Sequence, residues 1–434
     1  MKGNIAMSTE KKKVLIYAHY YFPDVASTGQ LLQELAEGLT DIFDVTVICV
    51  VPSYSGKIDK IYKGKIYFFD NINGVHIVRV GVPEFSKGKK LERIRNILAY
   101  YKNAKKATRH LGDFDFIFTI SQPPILGGML GVYGKKKKKA KLIYNIQDFN
   151  PEQIEAVGYS KNGILLKILK ALDKRTCQRS DLLITVGRDL VETIKRRFRG
   201  EETPKTVMIP NWVDEKQVYP LEEGNSGVFN FKQKYGLIDK FIFMYSGNIG
   251  LYYDLENLLE VMAKFSSRTL SFDGREVCFV FVGAGGVLEK LQMYVRSCEI
   301  KNVKFIPYQD KSSIIYSLNA ADVHLCVNAK GIKGVSCPSK FYGIAAVAKP
   351  VLAVLEEGTE IRSIIEESQC GLVSSPGNYN AFYNNLSNFI HMSKQQRIQM
   401  GKQGYKYFCQ YLRKDTAIQR YIEQFMSLGE SNVQ

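Results

Sequence analysis

The fold is decided by the stretch FIFMYSGNIG at residues 241–250, an apolar run of strand length that ends in two closely spaced glycines. An apolar run without polar alternation is typical of a strand that is buried on both faces of a parallel sheet. Glycines directly after such a strand predict a tight turn into a helix. The same unit recurs in VCFVFVGAGG at residues 277–286. These two stretches therefore predict a doubly wound α/β domain.

Short apolar runs alternate with segments of helical period along the rest of the chain. In the first half the predicted strands are residues 14–19, 45–51, 75–80, 114–120, 141–146, 182–185 and 206–209. In the second half they are residues 241–246, 277–282, 303–306, 323–327, 351–354 and 371–373. A loop rich in Pro, Gly, Asn and Ser separates the halves at about residues 210–230. We predict two doubly wound Rossmann-like domains that face a central cleft, at residues 1–215 and 216–412.

Composition supports two cores rather than one. The chain has 434 residues, of which 45% are hydrophobic and 24% charged, and this length exceeds what one hydrophobic core usually supports. The eight cysteines occur singly and none forms a Cys-x-x-Cys pair, which indicates reduced thiols rather than zinc ligands or disulfides. No window approaches the roughly 18 apolar residues of a spanning helix. We expect a cytoplasmic protein that binds no metal.

The formal net charge of +17 is concentrated in the first half of the chain. Basic residues cluster at residues 84–109, 135–141 and 161–199. A basic face attracts a polyanion. Nucleic acid is the least favoured partner, because no known nucleic-acid module is present and the aromatic residues fall on apolar faces. An anionic membrane surface fits better, and an ordinary solvated helix surface remains the alternative.

Loops that follow strands are where ligands bind in doubly wound sheets. Small or polar residues that could approach a diphosphate through the backbone occupy three such loops: Thr28, Gly29, Gly247, Asn248, Gly250, Gly283 and Gly285. The alternative for each is a plain helix cap or a turn that needs glycine. Leu288 stands where a dinucleotide fingerprint requires its third glycine, so binding of NAD is less favoured.

The segment Pro338-Ser339-Lys340 carries the most specific chemical signal. Proline suits the first turn of a helix, and a lysine beside that helix start can reach an anion. The alternative is a lysine whose stem lies along apolar surface while its charge stays in water. Asp148 and Glu152 lie in a loop after another strand, where they could position an acceptor and take up a proton, or could cap the next helix.

Together these motifs resemble family 4 of the GT-B glycosyltransferases over nearly the whole chain, and among them the subgroup of capsule and O-antigen amino-sugar transferases of the N-acetyl-L-fucosamine type. The resemblance implies retaining transfer from a UDP-sugar to a lipid-linked saccharide, at the inner face of the bacterial membrane and without metal or cofactor. It places Lys340 and Ser339 at the donor phosphates, Tyr308 near the base and Asp148 in catalysis. It also implies that residues 413–434 form a helix that crosses back to the first domain.

Two departures from the family pattern bear on the substrate. Many members carry two glutamates eight positions apart, where this chain has Val335 and Gly343, so the ribose contact is left unassigned and Glu360 is a candidate to replace it. Gln147 stands where many members have a histidine that contacts the outer hydroxyl of the donor sugar. This substitution suggests a donor without a 6-hydroxyl, such as a 6-deoxy amino sugar.

Two other functions remain open at the level of sequence. A sugar-nucleotide epimerase of GT-B architecture would convert a UDP-sugar without an acceptor. A non-catalytic protein of the membrane surface would use the basic clusters and leave the glycine loops as turns.

Overall fold

The computed structural model describes residues 10–24, 27–86, 88–156 and 163–430. Two residues of the basic clusters, Lys87 and Lys161, lie outside these ranges. Within the described ranges, no helix is both long enough and apolar enough to cross a bilayer.

Two sheets form the cores of two α/β domains. The strands of the first sheet are β1 (Lys13–Tyr17), β2 (Asp44–Val50), β3 (Tyr67–Ile72), β4 (Val75–Val80), β5 (Phe116–Ile120), β6 (Lys141–Ile146), β7 (Leu182–Thr185) and β8 (Thr206–Met208). Those of the second sheet are β9 (Lys240–Ser246), β10 (Glu276–Val282), β11 (Val303–Ile306), β12 (Val323–Val327), β13 (Val351–Val354) and β14 (Gly371–Ser374). The strand orders are β3-β4-β2-β1-β5-β6-β7-β8 and β11-β10-β9-β12-β13-β14. The predicted fold class is confirmed.

Helices connect the parallel strands and cover the sheets. In the first half they are α1 (Ser27–Leu39), α2 (Lys90–His110), α3 (Leu126–Lys138), α4 (Asn150–Ala156), α5 (Gly163–Arg179) and α6 (Arg188–Arg197). In the second half they are α7 (Ser226–Lys234), α8 (Leu255–Met262), α9 (Leu288–Ser297), α10 (Ile314–Ala320), α11 (Lys340–Ala346), α12 (Glu360–Ser368), α13 (Tyr379–His391), α14 (Lys394–Tyr411) and α15 (Lys414–Glu430).

The strand orders locate a ligand crevice in each domain. In the first sheet the winding reverses between β1 and β5, and in the second it reverses between β9 and β12. Ligands of doubly wound sheets bind beyond the carboxyl ends of the strands at such a reversal. The loops after these four strands line one cleft between the domains, through Thr28, Gln122, Asn248 and Asn328.

β3 was not predicted from the sequence. It pairs antiparallel with β4, and the turn between them places Asn73 and Gly74 at positive φ angles of 51° and 81°. An Asn-Gly pair with both residues in this region forms the turn that joins a tight hairpin. β3 is an edge strand whose side chains are partly or fully exposed, so it lacks the apolar run that marks the buried strands.

The last helix of the chain packs on the first domain. Tyr421, Phe425 and Leu428 of α15 are buried in the same core cluster as residues of β1, β2 and β5. The ring of Phe425 lies 5.3 Å from the ring of Phe116. Burial of each such side chain stabilises the packing by about 1.5–3 kcal/mol. The last helix therefore follows the second domain in the chain but belongs structurally to the first domain.

Candidate active site

The cleft between the domains has a volume of about 750 Å³. Its walls are the loops after the strands, so polar side chains from both domains meet there. The predicted residues that line it are Thr28, Gln147, Asp148, Asn248, Tyr308, Ser339 and Lys340. A space of this size accommodates a ligand as large as a nucleotide-sugar.

Lys340 is the first residue of α11 and is half-buried in the cleft wall. Its ammonium nitrogen lies 3.7 Å from the centroid of the Tyr253 ring and 5.1 Å from that of the Tyr245 ring. Across the described part of the chain, no carboxylate forms an ion pair with it. The two aromatic faces orient the cation without neutralising it, so its charge is available to an anion in the cleft.

Gly247 makes room for this lysine. Its φ angle is +141°, and a Cβ atom at this position would lie 2.7 Å from Cε of Lys340. A side chain here would be strained and would displace the lysine stem. The glycine thus serves the site through the position of Lys340, although it is not itself part of the cleft lining.

The remaining predicted glycines allow close packing of the backbone and do not line the cleft. A Cβ atom on Gly283 would lie 2.0 Å from the carbonyl oxygen of Gly247, and one on Gly285 would lie 2.1 Å from that of Ile249. A Cβ atom on Gly29 would lie 2.9 Å from the carbonyl oxygen of Tyr20, and one on Gly250 would lie 2.9 Å from Nδ2 of Asn248. For these glycines the structure favours the turn and packing interpretation over direct ligand contact.

Asp148 faces the Lys340 segment from the first domain. It forms an isolated antiparallel bridge with Ser336, and the neighbouring Phe149 N–H donates to the carbonyl oxygen of Val335 over 2.8 Å. Burial raises the pKa of the Asp148 carboxyl above its ordinary value, and a hydrogen bond from Ser336 offsets part of this rise. A carboxylate that binds a proton more readily than usual is suited to act as a base.

Gln147 is held at both ends of its amide. Its Oε1 accepts a hydrogen bond of 2.8 Å from Asn211, and its Nε2 donates one of 2.6 Å to Asn145. Asn145 in turn donates to the hydroxyl of Tyr421 over 2.7 Å. The side chain is therefore fixed in the cleft wall by a chain of bonds that ends in α15.

The two predicted glutamates lie elsewhere. Glu152 accepts a hydrogen bond of 2.6 Å from Arg197, whose guanidinium also binds Asp173 over 2.6 Å. Glu360 is only 3% exposed and accepts two bonds of 2.8 Å from Arg188, one from its backbone N–H and one from Nε. Neither glutamate lines the cleft in this structure: Glu152 belongs to an ion-pair network with Arg197, and Glu360 joins the two domains through Arg188, while their roles toward a ligand stay predictions.

The cleft residues that were not predicted from the sequence include Glu34, Asn211, Trp212 and Lys311. Trp212 donates from Nε1 to Glu34 over 2.8 Å, and Glu34 also pairs at 3.3 Å with Lys311 of the second domain. Asn211 lines the cleft beside Trp212. Asn211 and Trp212 lie in a segment that reads as an interdomain loop, and Glu34 and Lys311 meet only in the folded chain. Trp212 is the single tryptophan of the protein and therefore a natural optical probe of the cleft.

Metal-ligating groups are not assembled in the part of the chain that the structure describes. There, no three His, Cys, Asp or Glu side chains are grouped as metal ligands would be. All eight cysteines are free thiols.

Two facing Rossmann-like domains, with the ligand crevice of each opening into one cleft, define the GT-B class of fold. Each domain also matches a family model. The model described as Glycosyltransferase Family 4 matches residues 28–217, and the model described as Glycosyl transferases group 1 matches residues 228–407. The chain is a glycosyltransferase of the GT-B fold.

Named relatives agree with this assignment. The chain is 25% identical over 364 residues to the "Probable glycosyltransferase WbjE" of Pseudomonas aeruginosa, covering 81% of this chain and 80% of WbjE. It is 22% identical over 369 residues to WcaI of Escherichia coli (strain K12), whose name describes a colanic acid biosynthesis glycosyl transferase, covering 82% and 86% of the two chains.

A solved structure shows the same fold. Anabaena Alr3699/HepE, crystallised with UDP and glucose, superposes with a TM-score of 0.69 at 14% identity, covering 96% of this chain and all of that one.

Proposed function

We propose that the protein transfers a sugar from a UDP-sugar to a hydroxyl of a lipid-linked saccharide in bacterial surface-polysaccharide synthesis, with retention at the anomeric carbon. The observation that carries the proposal is the uncompensated ammonium of Lys340 in a cleft that also holds the less acidic carboxyl of Asp148 from the opposite domain. The ammonium can stabilise the negative charge that forms on the leaving group, and the carboxylate can accept the proton that the acceptor hydroxyl loses.

The chemistry follows from these two positions. As the bond between the anomeric carbon and the diphosphate breaks, negative charge grows on the departing UDP, and Lys340 stabilises it. The acceptor hydroxyl forms the new bond to the anomeric carbon and loses a proton, for which Asp148 is a positioned acceptor. As proposed, both steps use groups of the protein, Lys340 and Asp148, and neither step uses a metal or a cofactor.

Two comparisons support the proposal. HepE was crystallised with UDP and glucose, which supports a UDP-sugar as donor, and WcaI is named for the synthesis of a polysaccharide, which supports the proposed product. The finer proposal, a 6-deoxy amino sugar as transferred by the N-acetyl-L-fucosamine subgroup, rests on Gln147 in place of a histidine. Equal or faster turnover of UDP-N-acetylglucosamine than of its 6-deoxy analogue would contradict it.

We place the enzyme at the inner face of the cytoplasmic membrane. On α2, Leu91, Ile94 and Leu98 are 81%, 52% and 52% exposed, at a spacing that puts them on one face of the helix. Exposed apolar side chains amid cations are typical of a surface that lies on anionic lipid. Flotation with phosphatidylglycerol vesicles should recover the wild type, and the triple serine variant of these residues should lose this recovery.

The first experiment uses the fluorescence of Trp212 during titration with UDP, GDP and NAD. We expect a saturable change with UDP alone, because the proposed donor is a UDP-sugar. Incubation with UDP-sugars and lipid-linked saccharides then tests transfer. A UDP-sugar that is converted to its epimer without any acceptor would instead identify an epimerase, and absence of uridine nucleotide binding would overturn the proposal.

A further inference from the structure

Asn211 lines the cleft just after β8 and is 6% exposed. Its Nδ2 donates to Oε1 of Gln147 over 2.8 Å, but its Oδ1 has no hydrogen-bond partner among the described residues. Buried carbonyl oxygens are nearly always paired, because an unpaired one has lost its water without replacement. An unpaired acceptor in the wall of a substrate cleft points to a partner that arrives with the substrate.

The orientation of the Asn211 amide follows from a chain of hydrogen bonds. Asn211 donates to Gln147, Gln147 donates to Asn145 over 2.6 Å, and Asn145 donates to the Tyr421 hydroxyl over 2.7 Å. Tyr421, on α15, is 1% exposed in the core of the first domain, so this end of the hydrogen-bond chain is held by packing. Each amide in this chain donates from its NH₂ group to the next residue toward Tyr421. The NH₂ group of Asn211 therefore donates to Gln147, and Oδ1 of Asn211 accepts no hydrogen bond from the part of the protein that the structure describes.

Gln147 differs from Asn211 in this respect. Its carbonyl oxygen already accepts one bond, from Asn211, and its amide nitrogen already donates one to Asn145. Of these two amides, Asn211 is the one whose oxygen has no partner among the described residues. It recognises a group that donates a hydrogen bond.

The position of Asn211 relates it to the donor sugar. Its main chain lies beside the hydroxyl of Tyr342, which belongs to α11 two residues after Lys340. A diphosphate held at Lys340 therefore carries its sugar into the neighbourhood of Asn211. Given the proposed function, on which this step rests, we propose that Asn211 is a specificity-determining residue whose Oδ1 accepts a hydrogen bond from a hydroxyl or acetamido N–H of the transferred sugar. Tyr421 is a positioning residue that orients it through the chain.

The test compares the affinity for UDP with that for UDP-N-acetylglucosamine, measured by isothermal titration calorimetry. Asn211→Ala should weaken binding of the UDP-sugar about three- to tenfold, the effect of one neutral hydrogen bond, and change UDP binding less than twofold. Equal loss for both ligands, or loss for neither, would overturn the inference. A wild-type protein that binds no UDP would instead refute the proposed donor. Failure of the proposed function can therefore be told apart from failure of the inference about Asn211.

A second pair of variants tests the positioning role. Tyr421→Phe removes the acceptor at the end of the chain and should reproduce the selective loss for the UDP-sugar at about two- to threefold. Tyr17→Phe is the matched control, because its buried hydroxyl also makes one 2.7 Å bond in the first domain, to Thr108, and takes no part in the chain. If both variants change the ratio of the two affinities equally, Tyr421 does not position Asn211.

Discussion

Replacement of Lys340 by Met would test the central charge of the site. Methionine keeps the length of the apolar stem that packs between Gly247 and the two tyrosine rings, but it removes the ammonium. A hydrogen bond to a charged group contributes about 1.5–3 kcal/mol. If this contact strengthens as UDP departs, kcat/KM should fall by roughly 10- to 150-fold.

The assay is acceptor-dependent release of UDP, with thermal unfolding measured in parallel. Lys333→Met is the matched control, since it removes the same charge from the same segment at an exposed position outside the cleft lining. Loss of the cation–π contacts between the ammonium and the two tyrosine rings should by itself lower the free energy of unfolding by about 0.5–1 kcal/mol. If kcat/KM for Lys340→Met stays within twofold of the control, Lys340 does not stabilise the departing diphosphate.

Three further predictions concern Asp148, Glu152 and Gly283. Because burial raises the pKa of Asp148, the acid limb of the profile of kcat/KM against pH should lie above the ordinary carboxyl value of 3.8, and Asp148→Asn should abolish the limb along with most activity. A limb that survives in Asp148→Asn would assign the proton to another group. Glu152→Ala should lower the free energy of unfolding by about 3 kcal/mol, since it leaves Arg197 short of a buried partner, while UDP affinity measured by calorimetry stays the same. Gly283→Ala should abolish UDP binding by forcing a Cβ into the carbonyl of Gly247, whereas Gly286→Ala, which meets nothing within 4 Å, should bind normally; equal binding by both variants would refute the loop-packing argument.

Buried elements and their loops could be predicted from the sequence because their signals are local. A strand buried on both faces needs an unbroken apolar run, and the predicted and observed bounds agree closely for strands such as β10 and β12. The helix start at Lys340 was likewise predicted from the proline and serine before it. The bounds of these strands and the start of this helix depend on residues that are adjacent in the chain, so they can be recognised in the sequence.

The functions of single side chains could not be predicted where the partner is distant in the chain. Glu360 was a candidate for the ribose contact because nothing in its surroundings reveals Arg188, which lies 172 positions away. Asn211 was missed because its side chain is oriented by a hydrogen bond from its NH₂ group to Gln147, which lies 64 positions away in the chain. Exposed β3 and the glycine- and lysine-rich helix α3 were also missed, since both lack a buried apolar face with a clear period.

The segment from Gly334 to Lys340 couples the arrangement of the domains to the donor site. The N–H of Gly334 donates to Asp189 over 2.8 Å, and its carbonyl oxygen accepts from Thr193 over 2.7 Å, so α6 of the first domain holds this part of the second. Two residues later Ser336 bridges to Asp148, and four residues after that Lys340 enters the cleft. Because the same short segment contacts the first domain and carries the cation, these contacts hold the Lys340 ammonium and the Asp148 carboxyl in one cleft. The donor site is therefore maintained by contacts between the domains as well as by contacts within the second domain.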